Sequence, residues 1–277
     1  MSTPLPPSAG GVAAGMIDME SNTTLVQCYP AHQAVPADPG PFPPVLVLHD
    51  RFGLTPHIRH VANRLAHADF YALAPDFYCT PSSYSASAPE FMHSAAPSFV
   101  SYAEETAAHD RAAGLSDERA LAILEQAIAY VAGRSKARAG GVHLFGFGTG
   151  ARLAFLGACR FPDSVLSASC LFPVGLGAPK PPASGKPSPL DLAESLSAPI
   201  LLFYGQLDME IRPEEREAAR RRLTDLGKTF RLELFREAGH DFFCEERDTY
   251  RIRASKIAWT ESLAMFRAGV LPAPSTP

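Results

Sequence analysis

The sequence predicts an α/β fold with a mostly parallel central sheet and helices on both faces. Three observations lead there. Short apolar runs alternate along the chain with segments of helical periodicity. A glycine-rich turn, Gly146-Phe147-Gly148-Thr149-Gly150, joins one apolar run directly to a helical segment. Asp50, Asp208 and His240 each fall just after an apolar run, and open parallel sheets gather their chemistry beyond the carboxyl ends of the strands.

Taken in order, residues 1–15 are rich in Ser, Pro, Gly and Ala and read as a loose leader. Short strands are expected at 16–20 and 24–29, then a Pro-rich loop over 34–44. The run 45–49 is continuously apolar up to its histidine, as in a strand buried on both faces. A helix over 56–68 and a buried strand over 70–75 follow. Residues 76–118 lack a clear period and interleave aromatics with Ser, Ala and Pro. A stretch of that length reads as a cap-like excursion with short helices. Asp117 is placed to cap a helix over 118–134, with Leu121, Leu124, Ile128 and Val131 on one face.

The third buried strand, 142–145, leads through the glycine turn into a helix over 151–160. Further strands are expected at 166–172, 199–204 and 230–235. Residues 173–189 form a Pro/Gly-rich loop, 213–226 a charged helix stopped by Gly227, and 250–267 a long amphipathic helix. Residues 16–270 therefore form a single domain, with 271–277 as a tail.

Composition narrows the function. The 277 residues are 46% hydrophobic and carry a net charge of −4. No basic field would draw nucleic acid or an anionic membrane, and no apolar run reaches the roughly 18 residues of a membrane span. Five scattered cysteines, Cys28, Cys79, Cys159, Cys170 and Cys244, read as reduced thiols of a cytoplasmic protein. His57 and His60 share a helix without the glutamate and third ligand of a zinc site, so a solvated face is expected and no metal or other cofactor. Arg216, Arg220, Arg221 and Arg222, interleaved with Glu214, Glu215 and Glu217, read as a salt-bridged surface helix.

The strand-turn-helix around Gly148 has the layout of a nucleophile elbow, in which a Ser or Cys sits on a strained turn between two glycines. Here the central position is Gly148, which has no side chain. Downstream come Gly205-Gln206-Leu207-Asp208 and then Gly239-His240-Asp241-Phe242-Phe243. Nucleophile turn, acid, histidine is the chain order of the α/β-hydrolase fold. The amides of Thr149 and Arg51 are candidate oxyanion donors, and Asp50 and Phe147 candidate pocket residues. Thr149 as a shifted nucleophile, and Cys79 or Cys244 as catalytic thiols, are weaker readings than a structural role for each.

These motifs, with His49-Asp50-Arg51-Phe52-Gly53-Leu54, Ala74-Pro75-Asp76-Phe77-Tyr78, Tyr250, Ala254 and Trp259, give a chain that resembles the dienelactone hydrolase family from about Met16 to Arg267. The resemblance implies an elbow Cys attacking an ester or lactone carbonyl, a His as base, an Asp orienting it, and a Glu contacting the thiol. Carried over, His240 is the base, Asp208 its partner, Asp50 the shortened counterpart of the Glu, and Gly148 the emptied nucleophile position. Two readings follow. One is slow, water-mediated hydrolysis of small esters or lactones. The other is an inactive relative that binds a small carboxylate or lactone, or a protein partner, as a monomer or homodimer.

Overall fold

The computed structural model describes residues 11–19, 29–79, 102–178 and 187–273. An eight-stranded sheet runs in the order β1-β2-β4-β3-β5-β6-β7-β8. The strands are β1 (Val12–Met19), β2 (Tyr29–Pro36), β3 (Pro44–Leu48), β4 (Tyr71–Pro75), β5 (Val142–Phe147), β6 (Val165–Leu171), β7 (Ile200–Gly205) and β8 (Phe230–Phe235). β2 pairs antiparallel with both β1 and β4. Every pairing from β4 through β3 to β8 is parallel, so the carboxyl ends of β3 and β5 to β8 gather along one edge.

The helices are α1 (Pro56–His67), α2 (Tyr102–Gly114), α3 (Asp117–Ala132), α4 (Thr149–Arg160), α5 (Pro213–Asp225) and α6 (Ile252–Ala268). Side chains of β5 alternate between the two layers, as the period of two requires. His143 and Phe145 pack on Phe266 of α6. Leu144 meets Gly157 of α4, where an added Cβ would come 2.5 Å from Leu124 of α3. On the α6 side, Arg64 of α1 lies over the Trp259 ring at 4.3 Å, and Arg267 donates to the Ala68 carbonyl. α1 and α6 therefore cover one face, and α3 and α4 the other. The central strands are buried throughout: all five residues of β3 and all six of β5 and β7.

Several expectations need correction. Residues 12–15, assigned to the leader, begin β1, whose small, mostly exposed side chains hide a strand that is ordered by its ladder to β2. β2 runs to Pro36, three residues into the expected loop. Residues 1–10, 20–28 (with the expected strand start at 24 and Cys28), 80–101 and 179–186 lie outside the described residues. Within the excursion, α2 is a regular helix.

Asp117 is not the cap of α3. Ser116 takes that place, its hydroxyl accepting from the Arg119 amide. The Asp117 carboxylate instead forms a two-pronged pair with the buried guanidinium of Arg152 in α4. Arg216 is also not a surface residue: it is buried, donating to the carbonyls of Gly205 and Ile211. Glu215 accepts from the amides of Gly175 and Leu176. Arg220 and Arg221, both on Glu217, behave as the expected exposed ladder, and Arg222 pairs outside the helix with Glu194. His57 is buried against Phe147 and Phe243 rather than solvated.

Candidate active site

The elbow follows from its glycines. Gly148 follows β5 with φ 52 and ψ −112 and caps α4, a backbone region that costs an L side chain strain. A Cβ on Gly146 would lie 2.3 Å from the Gly150 carbonyl oxygen, and one on Gly150 would lie 2.1 Å from that of Leu48. Glycine at both positions lets β3, β5 and α4 close into so tight a turn. Gly148 itself is sterically open. A Cβ there would meet Asp50 Cβ at 3.5 Å and the Phe172 ring at 3.9 Å, which are ordinary contacts.

Asp208 follows β7 and is held by its own turn. One carboxylate oxygen accepts from the amides of Glu210 (2.8 Å) and Ile211 (2.9 Å). The other bonds His240 Nδ1 at 2.8 Å. Desolvation opposes ionisation of Asp208, but the His240 bond and the two amides outweigh it and lower its pKa. This carboxylate orients His240 as an acid orients a catalytic histidine. His240 follows β8, is 9% exposed, and packs against Phe172 with ring centroids 5.0 Å apart. Its Nε2 has no hydrogen-bond partner among the described residues. Glu210 Oε2 is 3.7 Å from it and Asp241 Oδ1 3.8 Å. Burial pulls the His240 pKa down, yet the bond to Asp208 and the charges of Asp241 and Glu210 leave it raised.

Asp50, after β3, faces Gly148. Its Oδ1 accepts from the Phe52 amide at 2.9 Å. Desolvation, then the Asp241 carboxylate, push its pKa up to about 6 against the opposing pull of Arg247, the Phe52 amide and His49. His49 steadies this turn from below: Nδ1 donates to the Asp50 carbonyl (2.8 Å) and Nε2 accepts from the Phe77 amide (3.0 Å). Those two partners require the Nδ1–H tautomer.

Thr149 is the first residue of α4, so its amide has no acceptor within the helix and is free for an oxyanion. Its hydroxyl bonds Tyr78, away from a nucleophile's role. Arg51 does more than offer an amide. Its guanidinium grips both carboxylate oxygens of Glu210 at 2.9 Å and Glu105 of α2 at 2.6 Å, tying the excursion to the acid loop. Phe147 is buried between Phe145, Phe172 and Phe243 and supports the elbow from beneath.

Sequence reasoning missed Glu210, Glu105, Phe172, Tyr78 and Arg247. Only Glu210, two residues after Asp208, and Arg247, seven after His240, carry a positional hint. Arg247 bonds Asp241 at 2.8 Å and lies over the Phe52 ring at 4.1 Å. Of the two thiols considered for catalysis, that of Cys244 is poorly suited to it. Cys244 is buried, with burial pushing its thiol up to about 11. The backbone carbonyl of Cys79 accepts from Arg119, which leaves the role of its thiol untested. Among the described residues no cluster of His, Cys, Asp or Glu is disposed to hold a metal ion, and no helix is long and apolar enough to cross a membrane.

Comparison with known proteins agrees with this architecture. The dienelactone hydrolase family matches residues 29–269. The chain is 28% identical over 265 residues to the "Putative carboxymethylenebutenolidase" of Methylorubrum extorquens, covering 96% of this chain and 84% of that protein. It is 30% identical over 242 residues to the protein of the same name in Escherichia coli O157:H7, covering 86% and 82%. The crystal structure of a "Putative Dienelactone Hydrolase" from Klebsiella pneumoniae superposes with a TM-score of 0.77 at 26% identity, covering 93% of this chain and 99% of the other. The chain belongs to the dienelactone hydrolase family and has its α/β-hydrolase fold.

Proposed function

We propose that this protein hydrolyses small esters or lactones slowly, using water in place of an enzyme nucleophile. The observation that carries the reading is the pairing of His240 with Asp208 beside an elbow whose central residue, Gly148, has no side chain. In this reading the nucleophile of the fold is replaced by Gly148. His240, oriented by Asp208, handles the proton that a hydrolysis must move, and the Thr149 and Arg51 amides hold the oxyanion. Hydrolases stripped of their triads keep about 10³ to 10⁴-fold catalysis over water from the oxyanion hole and binding. A chain with an intact His-Asp pair and oxyanion donors would reach at least that order. The substrate class comes from the names of the relatives, and a cytoplasmic setting from the odd number and scattered spacing of the five cysteines.

A second reading is binding without turnover. It is favoured by the Arg51 clamp, which joins Glu105 and Glu210 over the site. In that case the pocket holds a small carboxylate or lactone and no catalyst.

Rates on small aryl esters and lactones for the wild type and His240→Ala distinguish the two. The hydrolytic reading expects turnover above buffer that falls about 100-fold in His240→Ala. Turnover that is indistinguishable from buffer in both proteins, with ligand binding retained, supports the binding reading.

A further inference from the structure

The elbow leaves one half-buried acid without an assigned task. Asp50 Cβ lies 3.5 Å from where a Gly148 Cβ would stand, nearer than the Phe172 ring at 3.9 Å. A water standing in for the missing nucleophile is thus flanked by Asp50. Among the described residues the Asp50 carboxyl accepts one hydrogen bond, from the Phe52 amide, and no charged neighbour pairs with it directly. It keeps acceptor capacity for a water.

His240 is set up differently. Its imidazole is surrounded by three carboxylates: Asp208 on Nδ1 at 2.8 Å, and Glu210 and Asp241 at 3.7 and 3.8 Å from Nε2. Nε2 is buried and has no hydrogen-bond partner among the described residues. Three negative groups around one buried ring favour a proton on both nitrogens.

We infer that the two groups work in reversed roles: Asp50 takes the proton of the attacking water, and His240 gives its Nε2 proton to the leaving group. This rests on the hydrolytic reading above and specifies its chemistry. As the water oxygen bonds to the carbonyl carbon, one water proton passes to the Asp50 carboxylate. The carbonyl π pair moves to the oxygen held by the Thr149 and Arg51 amides. When that pair returns, the bond from carbon to the leaving oxygen breaks. Its electron pair stays on the leaving oxygen, which takes the proton from His240. Transfer of the Asp50 proton back to His240 restores both groups. The near-neutral titration of Asp50, raised first by desolvation and then by Asp241, suits a base working at physiological pH.

The roles separate by leaving group. A 4-nitrophenolate leaves without protonation, whereas a methoxide needs an acid. Rates are therefore compared on the 4-nitrophenyl and methyl esters of one acid. Asp50→Asn retains an oxygen acceptor for the Phe52 amide; it is expected to lose about 100-fold on both esters. His240→Gln is expected to lose about 100-fold on the methyl ester and about tenfold or less on the 4-nitrophenyl ester. Added formate is expected to restore Asp50→Gly at least about tenfold and to leave His240→Gln unrestored, a response that misfolding or a merely structural Asp50 would not give.

Equal losses on both esters in His240→Gln, with Asp50→Asn like the wild type, would overturn the inference and return the water's proton to His240. Incorporation of ¹⁸O from labelled water into the Asp50 carboxyl during turnover would overturn it differently, by making Asp50 the nucleophile. If neither ester is turned over above buffer by any of these proteins, the hydrolytic reading itself falls, and this inference with it.

Discussion

Asp50 and Gly148 face one another across the elbow, with 3.5 Å between Asp50 Cβ and the place of a Gly148 Cβ. The position is open but its backbone is unusual, at φ 52. Space and strain therefore oppose one another. Gly148→Cys and Gly148→Ser are expected to fold, at a cost of about 1–2 kcal/mol from the positive φ. They are expected to raise ester hydrolysis at least about 100-fold, because Asp50, the His240-Asp208 pair and the oxyanion donors already surround the new side chain. Denaturant unfolding and steady-state rates check the two halves separately.

Asp208 holds His240 through one oxygen and its own turn through the other. Asp208→Asn keeps the size of the side chain and one acceptor, but it removes the negative charge that orients His240 and holds its proton. Hydrolysis is expected to fall about 100-fold or more while the circular dichroism spectrum is unchanged. A loss below about threefold would remove Asp208 from the site.

His57 and His143 are both buried, and desolvation lowers each pKa from 6.5 to about 4. For a histidine depressed on folding, the unfolded chain binds the proton more tightly. Stability is then full above about pH 6.5 and is lost as pH falls towards 4. The expected loss is about 2 kcal/mol for each histidine by pH 5. Urea unfolding at pH 7.5 and pH 5 measures it, and His57→Phe should remove its own share of the difference.

Arg51 ties α2 to the loop after β7. α2 itself buries only small side chains among its described residues, Ala108 and Ala112. Arg51→Gln is expected to speed amide hydrogen exchange in 102–114 about tenfold, with little change in the global melting temperature. Raising salt to about 1 M should move wild-type exchange in the same direction, because Glu105 and Glu210 are each about a third exposed.

Asp117 and Arg152 show where sequence reading reached its limit. An Asp before a helical run is a sound cap signal, yet Ser116 one residue earlier competes for the role. What decided between them was Arg152, 35 residues away, which needed a carboxylate to be buried. Asp117→Ala is expected to destabilise the fold by about 3–5 kcal/mol, since it leaves that guanidinium buried without a countercharge. Arg216 and His57 are of the same kind: each was read from its own helix and placed by contacts with other elements. The strands of the parallel sheet were legible because burial on both faces leaves continuous apolar runs. The second half of β1 fell within the strand expected at 16–20, but its first half did not, since the small residues 12–15 carry no period. The meeting of Asp208 with His240 was legible from their places at strand ends. Glu210, Glu105 and Phe172 were not, because nothing in their local pattern tells which side of a loop faces the elbow.

The central claim is that turnover proceeds without an acyl-enzyme because Gly148 offers no attacking atom. Rapid-quench intact-mass spectrometry during turnover of a slow aryl ester tests it most directly. The account predicts no mass increase on the wild-type chain while product forms, and an acyl adduct on Gly148→Cys at residue 148. An acyl adduct on the wild-type chain, at any residue, would contradict it.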